Sequence, residues 1–350
     1  MSPQLPKMMK ILRWYAPEEI RLDQVELRNP GPGEVLVKIG AATTCGTDFK
    51  TFKRGHPRLI QSIPAPFGHE MAGTVAALGA GVEKFSLGDR VVVGNSAPCG
   101  ECFYCQKETF ALCEDLLFLN GAYAEYITVP KRIAELNLYK IPQSLSFPAA
   151  ALSEPLACVL NAFEKVSPQP GETMVLLGAG PMGVLFVQLA KLKGVDLVAI
   201  ARDPEKLANL KKMGAKEVIS LTHDADPISR AKKILHGGRG ADVVIEAVGL
   251  PETWELAASL ARAGGRVCFY GGCAKGTAVS LDTYRIHYEE LQLFGVFHHT
   301  PHYFQRAVQL LSEGKIKTEG LVVGEINLND YEKIFKKGMG SNPLKYAVVP

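Results

Sequence analysis

The chain has 350 residues, with 39 basic against 36 acidic side chains and a net charge of +3. So even a balance excludes a dedicated binder of nucleic acid or anionic membrane, whose affinity rests on clustered cations. The pairs Lys211–Lys212, Lys232–Lys233 and Lys336–Lys337 stand apart and read as solvated faces. At 47% hydrophobic and 21% charged the composition excludes disorder, and the length suggests about two domains.

The N-terminal segment MSPQLPKMMK has no apolar core, so no secretory signal is read there and the protein is expected in the cytoplasm. The longest uncharged run, Thr173 to Ala190, is broken by Gly178, Gly180, Pro181 and Gly183, which suits a strand, a turn and a helix start rather than a membrane span.

In chain order, the first chemistry-bearing group is Cys45-Gly46-Thr47-Asp48, followed by Gly68-His69-Glu70. A lone histidine is usually a core or surface residue. Together, Cys45, His69 and Glu70 offer thiolate, imidazole and carboxylate, the ligand types of an open catalytic zinc. Next come Cys99, Cys102, Cys105 and Cys113, a C-x2-C-x2-C-x7-C run. Four thiolates from one tight loop close a tetrahedral shell and leave no position for substrate, so this reads as structural zinc. An iron–sulfur run of the ferredoxin type ends on a shorter gap, and a reducing cytoplasm disfavours disulfides. Cys158 and Cys268 sit in apolar runs and read as small buried hydrophobes, while Cys273 is isolated.

From about residue 172 to 295 short apolar runs alternate with amphipathic stretches. Strands are predicted at Thr173–Gly178, Val195–Ala201, Glu217–Ile219, Val243–Ala247 and Arg266–Tyr270. Helices are predicted at Pro181–Lys193, Lys206–Met213, Ala231–His236 and Trp254–Ala261. Such alternation means a parallel, doubly wound sheet. Its first turn, Gly178-Ala179-Gly180-Pro181-Met182-Gly183, is a G-x-G-x-x-G between strand and helix, where backbone can approach a pyrophosphate. The place of a ribose-binding acid falls at Ala201, followed by Arg202 and Asp203. Arg202, with Lys206 one turn on, favours a 2′-phosphate and hence NADP; Asp203 keeps NAD possible.

With these motifs placed, the chain resembles the zinc-containing medium-chain dehydrogenase/reductase superfamily over nearly its whole length, and within it the sorbitol/iditol (polyol) dehydrogenase branch. The carriers are Cys45–Asp48, Gly68–Glu70 running into Gly73 and Val75, Gly88-Asp89-Arg90-Val91, the four-cysteine lobe, Ser153-Glu154-Pro155-Leu156 and the Gly178–Gly183 turn. The resemblance implies an α/β chain. A GroES-like, mostly-β catalytic domain would span 1–155 with a zinc lobe at 95–115, a Rossmann domain 156–296, and 297–350 would return to the catalytic domain. It implies two zinc ions per subunit, the catalytic one held by Cys45 and His69 with Glu70 and Glu154 as the acidic candidates.

The resemblance also implies an enzyme that moves hydride between a secondary alcohol and NAD(P). The substrate would be a sugar alcohol or cyclitol, or alternatively threonine or a simple secondary alcohol. Thr47 would take the hydroxyl proton. Where many relatives carry a relay histidine this chain has Lys50. The nicotinamide would approach Val248, Gly271, Gly272, Val296 and Phe297, and the assembly would be a homotetramer or a dimer. The histidines of His298-His299-Thr300-Pro301-His302 suit a loop lining a cleft better than a second metal site. A zinc-ribbon nucleic-acid binder would need a basic stripe. A dinucleotide sensor would have no use for Cys45, His69 and Glu70 together, and a zinc-free quinone reductase would lack both cysteine sets.

Overall fold

A computed structural model of the chain describes residues 5–335 and 344–350. The Lys336–Lys337 pair and the first four residues of the N-terminal segment lie outside the described residues. The chain divides into two compact units, Met1–Ala157 with His299–Pro350, and Cys158–His298. Among the described residues no helix is long and apolar enough to cross a membrane.

The first unit is built on a largely antiparallel sheet. In spatial order its strands are Leu138–Lys140, Arg90–Val93, Glu70–Leu78, Val35–Thr43, Lys345–Val349 and Val322–Asn327, with Tyr126–Val129 also pairing to Val35–Thr43. Val35, Val37 and Ile39 alternate into a core shared with Met71, Val91 and Ile127, as the two-residue period of a strand requires. A smaller sheet joins Glu19–Glu26, Met8–Ala16 and Ala65–Pro66.

The second unit is a six-stranded parallel sheet in the order Glu217–Ser220, Asp196–Ala201, Thr173–Leu177, Ala241–Glu246, Ala261–Phe269, Gln292–Gly295. Chain order reverses between Thr173–Leu177 and Ala241–Glu246, and the carboxyl ends of those strands mark the crevice where such sheets take a dinucleotide. The helix Pro181–Lys193 appears where predicted, but Gly183 to Ala190 are buried without interruption, so it is enclosed rather than amphipathic.

Three helices start earlier than their apolar spacing predicted, at Pro204, Pro227 and Pro251. A first-turn proline has no N–H to lose and a φ already set for helix, so it opens these helices instead of bounding them. The helix expected at Ala231–His236 accordingly spans Pro227–Ile234, and a separate short turn follows at His236–Gly238. The strand Gln292–Gly295 was not predicted; four residues with partly exposed side chains carry almost no periodic signal.

Gly73 shows how tightly the first sheet is drawn. It pairs with Ile39 where the register shifts before Ala41, and a Cβ there would lie 2.0 Å from the Lys38 carbonyl oxygen. Gly73→Ala is therefore expected to cost about 1–3 kcal/mol or more, read as a lower denaturation midpoint. An unchanged midpoint would show that the strands can part to admit a methyl group.

Candidate active site

Cys45 caps the helix Gly46–Arg54 with an extended backbone, φ −123° and ψ 149°. Its backbone N–H donates to Asp48 Oδ2 at 2.9 Å, so the residue that ends the helix's first turn also fixes the position of the cysteine. The thiol sits half-buried at the N-terminal end of the helix. Thr47 follows in the same turn, half-buried, and Lys50 is exposed.

His69 enters from Gly68, and Glu70 opens the strand Glu70–Leu78. Donor atoms of Cys45, His69 and Glu70 lie within 4.8 Å of one another. The Asp48 carboxylate stands 3.0 Å from His69 Nδ1. With Nδ1 facing a carboxylate, Nε2 is the nitrogen left for a metal. Burial pushes the His69 imidazole down, but Asp48 and Cys45 more than reverse this and hold it well above its ordinary range. This pocket draws positive charge, which suits a cation.

Lys345 is the partner that sequence reasoning missed. Only 2% exposed, its ammonium donates to both oxygens of Glu70 at 2.6 and 2.7 Å and to the Thr44 carbonyl at 2.8 Å. The Thr43 hydroxyl also donates to Glu70. The signal available was a single lysine opening the apolar run Lys345–Val349 at the end of the chain.

Glu154, in the first turn of the helix Ser153–Val166, is buried and accepts from Asn95 Nδ2 at 3.3 Å. Burial, with Glu70 and Asp48 adding to it, pushes its carboxyl up to about 7 against the pull of His69 and Lys345. Asn95 in turn meets His299 Nε2 at 2.8 Å. His299 is therefore no surface residue: it is 1% exposed, and burial pushes its imidazole down to about 4. His302 is exposed.

The four-cysteine loop closes at its base where Ser96–Ala97 pairs with Leu117–Phe118. All four sulfurs lie within 4.8 Å of one another, with Cys99–Cys105 and Cys102–Cys113 each at 3.9 Å. A zinc–sulfur bond of about 2.3 Å implies a tetrahedral edge of roughly 3.8 Å, whereas a disulfide needs about 2.05 Å. The spacing fits a metal and not a bridge. The Cys99 N–H donates to Cys113 Sγ at 3.2 Å and the Cys102 N–H to Cys99 Sγ at 3.4 Å, as around a thiolate cluster.

In the second unit, the strand Thr173–Leu177 passes through Gly178, at φ 115°, to Gly180, which caps the helix opened by Pro181. Added Cβ atoms would reach 2.9 Å from the Gly178 oxygen at Gly183, but nothing within 4 Å at Gly180, whose face is open. Met182 is half-buried in the same turn. That is the cradle a pyrophosphate needs.

Around the cradle, Val248 stands beside Gly178, 3.2 Å from where its Cβ would be, and Gly271 packs on Gly249. Glu246, also missed, fixes this rim: its Oε1 accepts from the Val248 and Gly249 N–H groups at 2.8 Å and the Thr253 hydroxyl at 2.7 Å. Val296 is half-buried and Phe297 exposed. Arg202 is exposed, while Asp203 caps the next helix and pairs with Lys206. Of the isolated cysteines, Cys268 is buried as expected, but Cys158 is only half-buried.

Two family models cover most of the chain, an alcohol dehydrogenase GroES-like domain at residues 31–143 and a zinc-binding dehydrogenase at 181–313. The sorbitol dehydrogenase of Bacillus subtilis is 30% identical, covering 100% of this chain and 99% of its own length. D-arabinitol dehydrogenase 1 of Uromyces fabae is 31% identical over 99% of this chain and 98% of that protein. A dehydrogenase structure from Sinorhizobium meliloti 1021 bound to NADP superposes with a TM-score of 0.90 at 29% identity, covering 99% and 100% of the two chains. The chain belongs to the zinc-binding alcohol dehydrogenase family, in the neighbourhood of the polyol dehydrogenases.

Proposed function

We propose that the protein oxidises a secondary hydroxyl of a sugar alcohol or cyclitol to the ketone, and reduces the ketone in reverse, with NADP favoured over NAD. The observation that carries this reading is the convergence of Cys45, His69 and Glu70 donor atoms within 4.8 Å, with His69 turned by Asp48. The relatives' polyol substrates and the NADP of the structural neighbour support it. We place the protein in the cytoplasm as a homo-oligomer, a tetramer rather than a dimer.

Cys45, His69 and Glu70 would hold the catalytic zinc, and Cys99, Cys102, Cys105 and Cys113 the structural one. When bound, zinc and the dinucleotide supply Lewis acidity and a hydride acceptor, without which an alcohol is too weak an acid to react near neutral pH. Asp48 fixes the imidazole's tautomer, and Lys345 balances the charge of Glu70. Thr47 would relay the alcohol proton, its hydroxyl oxygen accepting that proton as its own O–H proton passes on to water. Glu154, with a carboxyl near 7, can hold or release a proton beside the reacting group. The Gly178–Gly183 turn receives the pyrophosphate, and Arg202 and Lys206 the 2′-phosphate. Val248, Gly271, Gly272, Val296 and Phe297 face the nicotinamide end.

Purified protein should reduce NADP faster than NAD on a panel of polyols. Silence on every polyol with zinc loaded would move the substrate to threonine or simple secondary alcohols. Cys45→Ala or His69→Ala should abolish oxidation while dinucleotide affinity holds; full activity in either would remove the metal centre from this site. Arg202→Ala should weaken NADP about 10–100-fold, the worth of a charged hydrogen bond, and leave NAD nearly unchanged. Equal losses for both cofactors would refute a phosphate role. Cys102→Ser should lower both the zinc content and the melting temperature, since a structural metal contributes directly to folding; intact melting would mean the lobe bears no structure.

A further inference from the structure

We propose that Tyr123 is a positioning residue for the metal-binding imidazole: its hydroxyl holds the Asp48 carboxylate in the orientation that meets His69. This rests on the reading of Cys45, His69 and Glu70 as a metal centre.

Tyr123 lies in the run Gly121-Ala122-Tyr123-Ala124, which carries no other polar side chain, and its side chain is 1% exposed. A phenol so enclosed must find an acceptor. It donates to Asp48 Oδ2 at 2.6 Å, the short contact of a charge-assisted bond. Oδ2 also accepts the Cys45 N–H at 2.9 Å, and Oδ1 stands 3.0 Å from His69 Nδ1. Two donors on one oxygen fix the rotation of the carboxylate and leave the other oxygen for the imidazole. With the amide alone, the carboxylate could turn about that single bond.

The same segment also sets the backbone that delivers His69. The N–H groups of Gly121 and Ala122 donate to the Gly68 carbonyl at 2.8 and 3.0 Å, and that of Tyr123 to the Phe67 carbonyl at 3.0 Å. Gly68 has φ +85°, and a Cβ there would lie 2.7 Å from the Tyr123 ring. So glycine precedes His69 because the Tyr123 ring lies against it. One residue thus fixes His69 twice, through the chain that carries it and through the carboxylate that turns it. Burial, then Asp48, pushes the phenol well above its usual range, so it remains a donor. Its ring packs on Phe67 and Phe335 with centroids 5.9 and 6.0 Å away, contacts that phenylalanine would keep.

The test measures metal in the full-length, zinc-loaded protein by competition with a chelator, and records the visible spectrum after cobalt replaces the zinc outside the four-cysteine lobe. Tyr123→Phe should weaken the Cys45–His69 metal about tenfold, at the low end for partners of ligating imidazoles, and shift the cobalt bands. The lobe zinc should hold, which serves as the internal control. In an Asp48→Ala background Tyr123→Phe should have no further effect, because its influence passes through that carboxylate. Unchanged affinity and cobalt bands in Tyr123→Phe would overturn the proposal, as would an equal loss with and without Asp48. If Asp48→Ala does not fold, the affinity and spectrum of Tyr123→Phe alone decide. Should wild-type protein bind only the lobe zinc, the metal-centre reading fails first, before any Tyr123 variant is made.

Discussion

A carboxylate and an ammonium buried together, Glu70 and Lys345, set the terms for the first unit. Removing two charges from water costs several kcal/mol per ion, recovered only if the geometry satisfies nearly every donor and acceptor. Here the Lys345 ammonium reaches both Glu70 oxygens and the Thr44 carbonyl, while Thr43 gives its hydroxyl to Glu70. The partners lie 275 residues apart in sequence. They meet because the strand Val35–Thr43 lies between their strands, with Thr43 opposite Glu70 on one side and Ala347 on the other. A slip of one residue in either pairing would turn one member of the pair to the opposite face of the sheet. The register of the sheet and the charge of the site are thus one constraint.

That constraint also explains why two buried glutamates in one unit differ in character. Glu70 has a fixed cation on both oxygens. Glu154 accepts from the Asn95 side-chain amide, and burial lifts its carboxyl to about 7. Its donor, Asn95, is itself held by His299, whose burial keeps it neutral. Identical side chains are given different surroundings by what lies within hydrogen-bonding reach: an ammonium on one, an amide and a buried pocket around the other.

Sequence alone points to those candidate residues whose types are rare and whose spacing is fixed by chemistry. The four cysteines, the Gly178–Gly183 turn and the Cys45, His69, Glu70 set were legible for that reason. Lys345, Asn95, Tyr123 and Glu246 were not, since each acts through a partner far away in sequence or hides within an ordinary apolar run. Glu246 sits in Val243–Ala247 as one acid among hydrophobes, and only the fold shows three donors converging on one of its oxygens. The doubly wound sheet was readable from its alternation, apart from the last short strand and the proline-opened helix starts. The antiparallel sheet was reachable only through resemblance, because its pairings are long-range and its strands interrupted by loops.

The end of the strand Asp196–Ala201 shows how local geometry decides what an acid can do. Asp203 lies within two residues of the place where a ribose-binding acid belongs, so sequence leaves it available. In the fold its Oδ1 accepts the N–H groups of Glu205 and Lys206 at 3.0 and 3.2 Å, and its Oδ2 lies 3.2 Å from the Lys206 ammonium. A helix cap is worth about 1 kcal/mol, and turning the carboxylate toward a ribose would forfeit it along with the ion pair. Arg202, exposed and with no hydrogen bond or ion pair to its guanidinium among the described residues, faces no such cost. The charge free to act at this strand end is positive, which is the sign that a phosphate requires and a ribose hydroxyl does not.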